Sequence, residues 1–273
     1  MSEQELRGWL DFALETADAA SEIARRWFRR DFEVMTKPDR TYVTAADREV
    51  ERLVRERIAD RFPTHGVHGE EYGVEEGSAD VRWWIDPIDG TANFVRGIPL
   101  FGVLLAAERG DEIVVGVVAA PALGERWYAA QGLGAWAEGP ALLGEDRPRR
   151  IHVSAIASIP ESQILYASHS DIVGSSEKAP GFGALVRDAW RDRGFGDFWG
   201  YTLVAQGAAE AMIETDLNPW DLAAPAVVVE EAGGRFSDLS GARTIHSGSA
   251  VATNGLLHQE ILARLQEGHV SGA

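Results

Sequence analysis

The residues best suited to chemistry stand together in Trp84-Ile85-Asp86-Pro87-Ile88-Asp89-Gly90-Thr91-Ala92-Asn93-Phe94. An apolar run delivers Asp86 at its end. Pro87 fixes its own φ and disfavours helix at Asp86. Asp89 follows three residues later, and Gly90 permits a positive φ or a close backbone approach. Two carboxylates on a rigid turn, with the Ile88 carbonyl between them, can share oxygen ligation of a hard cation. A helix starting near Gly90 and Thr91 would add free amides for a phosphate. A lone Asp-x-x-Asp also has a plain structural explanation: Asp89 caps a helix and Asp86 ends a strand.

Two more acidic clusters lie far off in sequence. Gly69-Glu70-Glu71 follows the apolar approach Gly66-Val67-His68. Adjacent acids at a strand end repel unless a cation or solvent relieves them, so a solvated loop is the competing reading. Asn218-Pro219-Trp220-Asp221 precedes the apolar run LAAPAVVVEEAGG, where Asp221 taken alone reads as an N-cap. Together Glu70, Asp86, Asp89 and Asp221 form an oxygen-rich, histidine-poor set, each at an element boundary. Such a set suits Mg²⁺ bridged to a phosphate. His65, His68 and His169 sit in turn-like contexts and are read as surface or supporting residues, not ligands. The sequence contains no P-loop, no nucleophile-elbow serine and no His-Glu-x-x-His.

Composition narrows the partners. Across 273 residues, 26 Lys and Arg face 43 Asp and Glu, a net charge of −17. That field repels nucleic-acid backbones and anionic lipid, so neither nucleic acid nor membrane is expected as a partner. An anionic partner, such as a small phosphorylated substrate, would need metal cations or a local positive site. There are no cysteines, which removes disulfides, thiolate zinc sites and thiol catalysis and suits a cytoplasmic location. No apolar run reaches the ~20 residues of a membrane span.

The elements that must carry these residues are legible in outline. Residues 3–30 read as a long amphipathic helix, with Trp9, Phe12, Ala13, Ala17, Ala20, Ile23, Ala24, Trp27 and Phe28 at spacings of three and four. A second helix starts at Thr44 as N-cap and runs to Arg61, ended by Pro63. Residues 81–86, 100–108, 112–120, 126–130 and 134–138 read as an antiparallel meander. The polar stretch 138–150 is the expected subdomain boundary. Beyond it the reading is strand 162–168, helix 183–192, strand 195–199, helix 201–212, helix 222–232 and strand 234–237. The expected organisation is one domain, 1–265, with subdomains of about 1–140 and 150–265, and a frayed tail over 266–273.

On these residues the chain resembles the inositol monophosphatase family of Mg²⁺-dependent phosphatases over about residues 5–265. The family's first signature is met by Trp84 to Thr91 with Asn93-Phe94. Its W-D-x-A-A-G element is met by Trp220-Asp221-Leu222-Ala223-Ala224, with Pro225 replacing the glycine. Gly69-Glu70-Glu71 and Val43-Thr44-Ala45-Ala46-Asp47 also fit. Pro225 leaves Asp221 intact but puts the local helix start in question.

The resemblance implies an α/β fold, a layered αβαβα sandwich, and two to three Mg²⁺ ions per site. Glu70, Asp86 and the Ile88 carbonyl are implied to hold the first ion, and Asp86, Asp89 and Asp221 the second. A third would lean on Glu70. Thr91, bonded to Asp47, is implied to orient the attacking water with Glu70. Gly90 and Thr91 amides would meet the phosphate, and Glu214 the alcohol part of the substrate. Asp47 has a second reading as a capping-box partner of Thr44. A homodimer is also implied.

Within the family, Arg193-Gly194-Phe195-Gly196-Asp197-Phe198-Trp199 resembles the branch that hydrolyses L-histidinol phosphate in histidine biosynthesis. So do Thr36-Lys37-Pro38-Asp39, Asn93 to Pro99, and Ala252 to His258. The rationale is physical: Asp197 or Glu214 can pair with the substrate's ammonium, and Trp199 can stack on its imidazole. Core packing is the competing role for Phe195, Phe198 and Trp199. The rival functions are hydrolysis of inositol monophosphate or another sugar phosphate, and a binding protein without turnover.

Overall fold

The computed structural model describes residues 1–30, 34–36, 42–139, 147–169, 172 and 179–267. Helix α1 (Glu3–Trp27) buries Leu6, Trp9, Leu10, Ala13, Ala17, Ala20 and Ala24 along one face. Ser2 caps it by accepting the Glu5 N–H at 3.2 Å. Short strands β1 (Val34–Thr36) and β2 (Tyr42–Thr44) pair antiparallel before helix α2 (Ala45–Arg61). As the sequence predicts, Thr44 is the α2 N-cap, and the helix stops at Phe62 before Pro63.

The larger sheet contains β3 (Gly66–Gly69), β4 (Gly73–Glu75), β5 (Val81–Asp89), β6 (Gly102–Arg109), β7 (Glu112–Ala120), β8 (Glu125–Ala130), β9 (Gly134–Glu138) and β10 (Arg149–Arg150). Its order is β10-β9-β8-β7-β6-β5-β3-β4, so the expected meander runs from β5 to β9. β3 joins the other side of β5 in parallel. The single-turn helix α3 (Thr91–Val95) links β5 to β6.

The smaller sheet contains β11 (Gln163–Tyr166), β12 (Arg191–Arg193), β13 (Ala211–Thr215), β14 (Arg235–Ser237) and β15 (Ser249–Thr253), in the order β12-β11-β13-β15-β14. It is mixed: β11 is parallel to β12 and β13, whereas β15 is antiparallel to β13 and β14. Its helices are α4 (Phe182–Asp188), α5 (Asp197–Ala205), α6 (Pro219–Glu231) and α7 (His258–Gln266).

Alternation along β6 sets the layers. Val103, Leu105 and Ala107 pack with α1 and α2, whereas Leu104 and Ala106 face the cluster that holds α5 and α6. The far side of that cluster is Leu165, Met212, Ala250 and Ala252 of the smaller sheet. Ile164, Ala211, Ile213 and Val251 face the other way, onto α4 and α7. The result is helices, sheet, helices, sheet, helices: the expected αβαβα sandwich. No helix among the described residues is long and apolar enough to cross a membrane.

The second half departs from the sequence reading. The strand expected at 195–199 is instead β12 at Arg191–Arg193, and Asp197 opens α5. The helix expected at 201–212 ends at Ala205, and Ala211–Thr215 is the central strand β13. Aromatic, β-prone residues on a helix buried between two sheets read as a strand. Ala211, Met212 and Glu214 are helix formers that burial on every position of β13 overrides. Strand β15 and helix α7 were not anticipated. Gln266 still belongs to α7, and residues 268–273 of the expected tail lie outside the described residues. Of the polar stretch 138–150, residues 140–146 also lie outside them.

Candidate active site

Strand β5 ends in a local irregularity: Asp86 pairs with Leu104 and Asp89 with Gly102, one residue more on β5 than on β6. That bulge turns both carboxylates out of the ladder. Ile88 N–H donates to Asp86 Oδ1 at 3.0 Å, and the Thr91 hydroxyl donates to the Ile88 carbonyl at 2.9 Å. Gly90, at φ 78°, makes the left-handed step that starts α3. A Cβ there would stand 3.2 Å from Asp197 Oδ2 and 3.1 Å from the Leu100 carbonyl.

The fold brings Asp221 to this turn across more than a hundred residues of chain. Carboxylate oxygens of Asp86, Asp89 and Asp221 all lie within 4.8 Å of one another. Asp86 is 2% and Asp89 8% exposed. Asp221 is the third residue of α6, not its N-cap. Asn218 holds the cap position and its N–H donates to Asp221 Oδ2 at 2.7 Å. Pro225 lies well inside α6, not at its start; it removes the N–H that would bond the Asp221 carbonyl, and the helix continues past it to Glu231.

Glu70 stands outside the three-carboxylate cluster but lines the same cleft. Its N–H donates to the Ile85 carbonyl at 3.2 Å, extending the β3–β5 pairing beside Asp86. Asp47 realises both sequence readings unequally. Its Oδ2 accepts the Thr44 N–H at 2.8 Å and the Thr44 hydroxyl at 2.6 Å. Its Oδ1 is 3.5 Å from Thr91 Oγ1, whose shorter bond goes to Ile88. The capping box is therefore the tight interaction, and the contact to Thr91 a long one.

The cleft, about 640 Å³, has a second acidic wall. Asp197 takes a left-handed φ of 57°, and Asn93 Nδ2 donates to its Oδ2 at 3.2 Å. The next amide, of Phe198, donates to Asp89 Oδ2 at 2.6 Å. Glu214, 5% exposed on β13, accepts the Tyr201 hydroxyl at 2.8 Å. Phe195 and Trp199 form a tilted pair 5.1 Å apart that also lines the cleft, and Phe198 is fully buried core. Glu214, Phe198 and Tyr201 thus link both walls to α5 and β13, which the sequence reading had misassigned.

Burial pushes Asp47, Asp86, Asp89, Asp197, Glu214 and Asp221 towards the protonated form. Asp86 rises well above the usual carboxylate range through burial, then Glu70 and Asp89; Asp89 does so through burial, then Asp197 and Asp221. Burial raises Asp47 to about 6, Asp221 to about 7 and Glu214 to about 8, and it raises Asp197 as well. A converging set of desolvated carboxylates calls for positive charge. Their donors are hard oxygens, with no histidine or cysteine in the cluster, which fits a hard divalent cation.

The expected supporting histidines lie elsewhere. His65 accepts the Trp83 indole N–H at 3.1 Å, His68 packs edge-on to Trp84, and His169 lies against Tyr166. His258 is buried between Ser237 and Thr253, 3.0 Å from each hydroxyl, and does not line the cleft. Lys37, Pro38 and Asp39 of the branch-like segment lie outside the described residues.

Comparison with known proteins gives a consistent result. The model of the inositol monophosphatase family matches residues 5–271. A histidinol-phosphatase of Mycobacterium tuberculosis is 45% identical, covering 95% of this chain and 98% of its own length. One of Streptomyces coelicolor is 43% identical, covering 92% and 94%. Among solved structures, an IMPase of Thermotoga maritima superposes with a TM-score of 0.82 at 34% identity, covering 94% of this chain and 96% of its own.

Proposed function

The chain belongs to the inositol monophosphatase family and is a metal-dependent phosphatase, and from that premise we propose that its substrate is L-histidinol phosphate and its metal Mg²⁺. The observation that carries the substrate is the second acidic wall. Asp197 and Glu214 line the same cleft next to the carboxylate cluster, together with Phe195 and Trp199. An ammonium and an imidazole suit two acids and an aromatic pair; a neutral polyol has no use for the charge. The M. tuberculosis and S. coelicolor relatives support the same reading.

In this reading Glu70, Asp86, the Ile88 carbonyl, Asp89 and Asp221 hold two to three Mg²⁺ ions. The ions, when bound, offset the charge of the phosphate dianion, acidify water and stabilise the leaving alkoxide. The chain's own residues do the rest. Asp86 and Asp89, fixed on the β5 bulge, set the ligand geometry before substrate arrives. The amides of Gly90 and Thr91 bind phosphate oxygens. Glu70 accepts a proton from the attacking water, which Thr91, supported by Asp47, orients in line with the ester bond. A bond from water oxygen to phosphorus forms, the bond to the alcohol oxygen breaks, and that oxygen takes a proton from solvent water, giving L-histidinol and inorganic phosphate. Asp197 and Glu214 hold the amine end and Trp199 stacks on the imidazole.

Phosphate release from L-histidinol phosphate and from inositol 1-phosphate, measured in parallel with Mg²⁺ and with EDTA, tests the proposal. A large Mg²⁺-dependent preference for L-histidinol phosphate is expected. A preference for the inositol ester, or equal slow rates, removes the substrate assignment.

A further inference from the structure

Glu51 lies on α2 one turn beyond Asp47, and its side chain is fully buried. A carboxylate withdrawn from water persists only where charge and hydrogen bonds replace the water. Here they come from the turn after β3 and from α2 itself. Oε2 accepts the Glu71 N–H at 2.7 Å, and Oε1 accepts the Tyr72 N–H at 3.1 Å. Arg55, one turn further along α2, donates from Nε to Oε1 at 2.8 Å. It also reaches the Gly73 carbonyl and, at 3.6 Å, Glu75 on β4. Strand β3 closes on the same group, for a Cβ at Gly69 would overlap the Glu51 carboxylate.

Residues 69, 71 and 72 are thus all fitted to one buried side chain, and Glu70 lies between them. The Glu70 amide is tied on the opposite side to the Ile85 carbonyl of β5. The turn that carries Glu70 is therefore clamped between α2 and the strand that carries Asp86. The same helix face presents Asp47 towards Thr91.

We propose that Glu51 is a positioning residue that presets Glu70 for the metal ion, with Arg55 as its counter-charge; this rests on the reading of Glu70 as a ligand given above. A glutamine keeps the shape of Glu51 but only one oxygen. Its amide group faces an N–H donor, so one of the two turn amides loses its acceptor. The turn then loosens, and ordering Glu70 becomes a cost of binding the ion.

The test is a Mg²⁺ titration of the full chain, read by calorimetry and by the Mg²⁺-induced rise in Tm, alongside steady-state kinetics. E51Q is expected to raise the half-saturating Mg²⁺ concentration about tenfold, as loss of a ligand's support does. At saturating Mg²⁺ its substrate KM stays within about twofold of wild type, since the lost support acts on the ion rather than on the substrate. Val54→Ala, a core truncation on the same helix, is expected to lower Tm without moving the Mg²⁺ midpoint. A wild-type midpoint in E51Q overturns the proposal, as does an equal shift in V54A. Should E51Q fail to fold, R55Q carries the test: a shifted midpoint supports the proposal and an unshifted one overturns it. E70Q separates the two levels. An unshifted midpoint there removes Glu70 as a ligand and the proposal with it, whereas a shift in E70Q without one in E51Q removes only the positioning role.

Discussion

The two walls of the cleft are built in different ways. On the near wall, main-chain pairing fixes the acids. Asp86 and Asp89 flank the β5 bulge, and Glu70 is registered against β5 by its own amide. On the far wall, side-chain bonds add to the backbone, for Glu214, on β13, is also ladder-paired with Ala250. Asp197 stands at the left-handed first residue of α5, steadied by Asn93, and Glu214 is held by Tyr201. The backbone of the near wall cannot shift without breaking the larger sheet. The far wall can exchange side chains and keep its strands. The contrast suggests a division of labour, with phosphate chemistry on the near wall and reading of the alcohol on the far one.

The division predicts unequal consequences. The largest belongs to the near wall: Asp89→Asn is expected to lower phosphate release by about a thousandfold or more while the fold persists, because a ligand charge is lost. Rates near wild type, in a variant with normal Tm, would remove Asp89 from the metal site. Thr91→Val comes next, with an expected loss of about a hundredfold in kcat through the water-orienting hydroxyl. A change confined to KM would move Thr91 from the chemistry to binding.

On the far wall, Asp197→Asn and Glu214→Gln are each expected to raise KM for L-histidinol phosphate about tenfold, the scale of one charge-assisted bond, and to change inositol 1-phosphate hydrolysis far less. Equal effects on both esters would erase the distinction between the walls.

The smallest effect is on stability. Asp47, Asp221 and Glu214 sit at about 6, 7 and 8 in the folded, metal-free chain, above the ordinary carboxylate values of 3.8 and 4.5. The native state then holds protons that the unfolded chain releases, so stability declines with rising pH. The contribution is full below about pH 4 and is lost as pH climbs through the values 6 to 8. Scanning calorimetry of the metal-free protein should record a Tm that falls by several degrees between pH 5 and pH 8.5, and a flatter profile with Mg²⁺. A Tm that rises over that interval would mean the acids are already neutralised by the protein itself.

The walls also differ in how much of each was legible in the sequence. The near wall lies in a meander whose strands alternate or are apolar throughout, between helices with a clear N-cap and a clear stop. Local pattern sufficed to place Asp89 and Thr91 at element ends, whereas Asp86, expected to end its strand, lies inside β5, which runs on to Asp89. The far wall depends on α5 and β13, where local preference and final structure disagree. Phe198, Trp199 and Tyr201 favour strand yet form a helix, because the inter-sheet layer buries Phe198 and Tyr201 and packs against one side of Trp199. Asp47 shows a subtler limit. Its capping role is a three-residue matter and was foreseen, while its long approach to Thr91 depends on how α2 meets β5.

By itself, then, the sequence determined the chemistry on offer: hard carboxylate oxygens at element boundaries, a Gly-Thr helix start, an acidic surface and no thiols. It did so because residue type and short-range spacing decide donors, turns and caps. Only the tertiary structure decided which acids share a site. The approach of Asp221 to Asp86, the meeting of Asp197 and Glu214 beside that cluster, and the clamp of Glu51 on the Glu70 turn all join segments far apart in sequence. Those encounters are set by the stacking of two sheets around α5 and α6, a packing solution that no local pattern encodes.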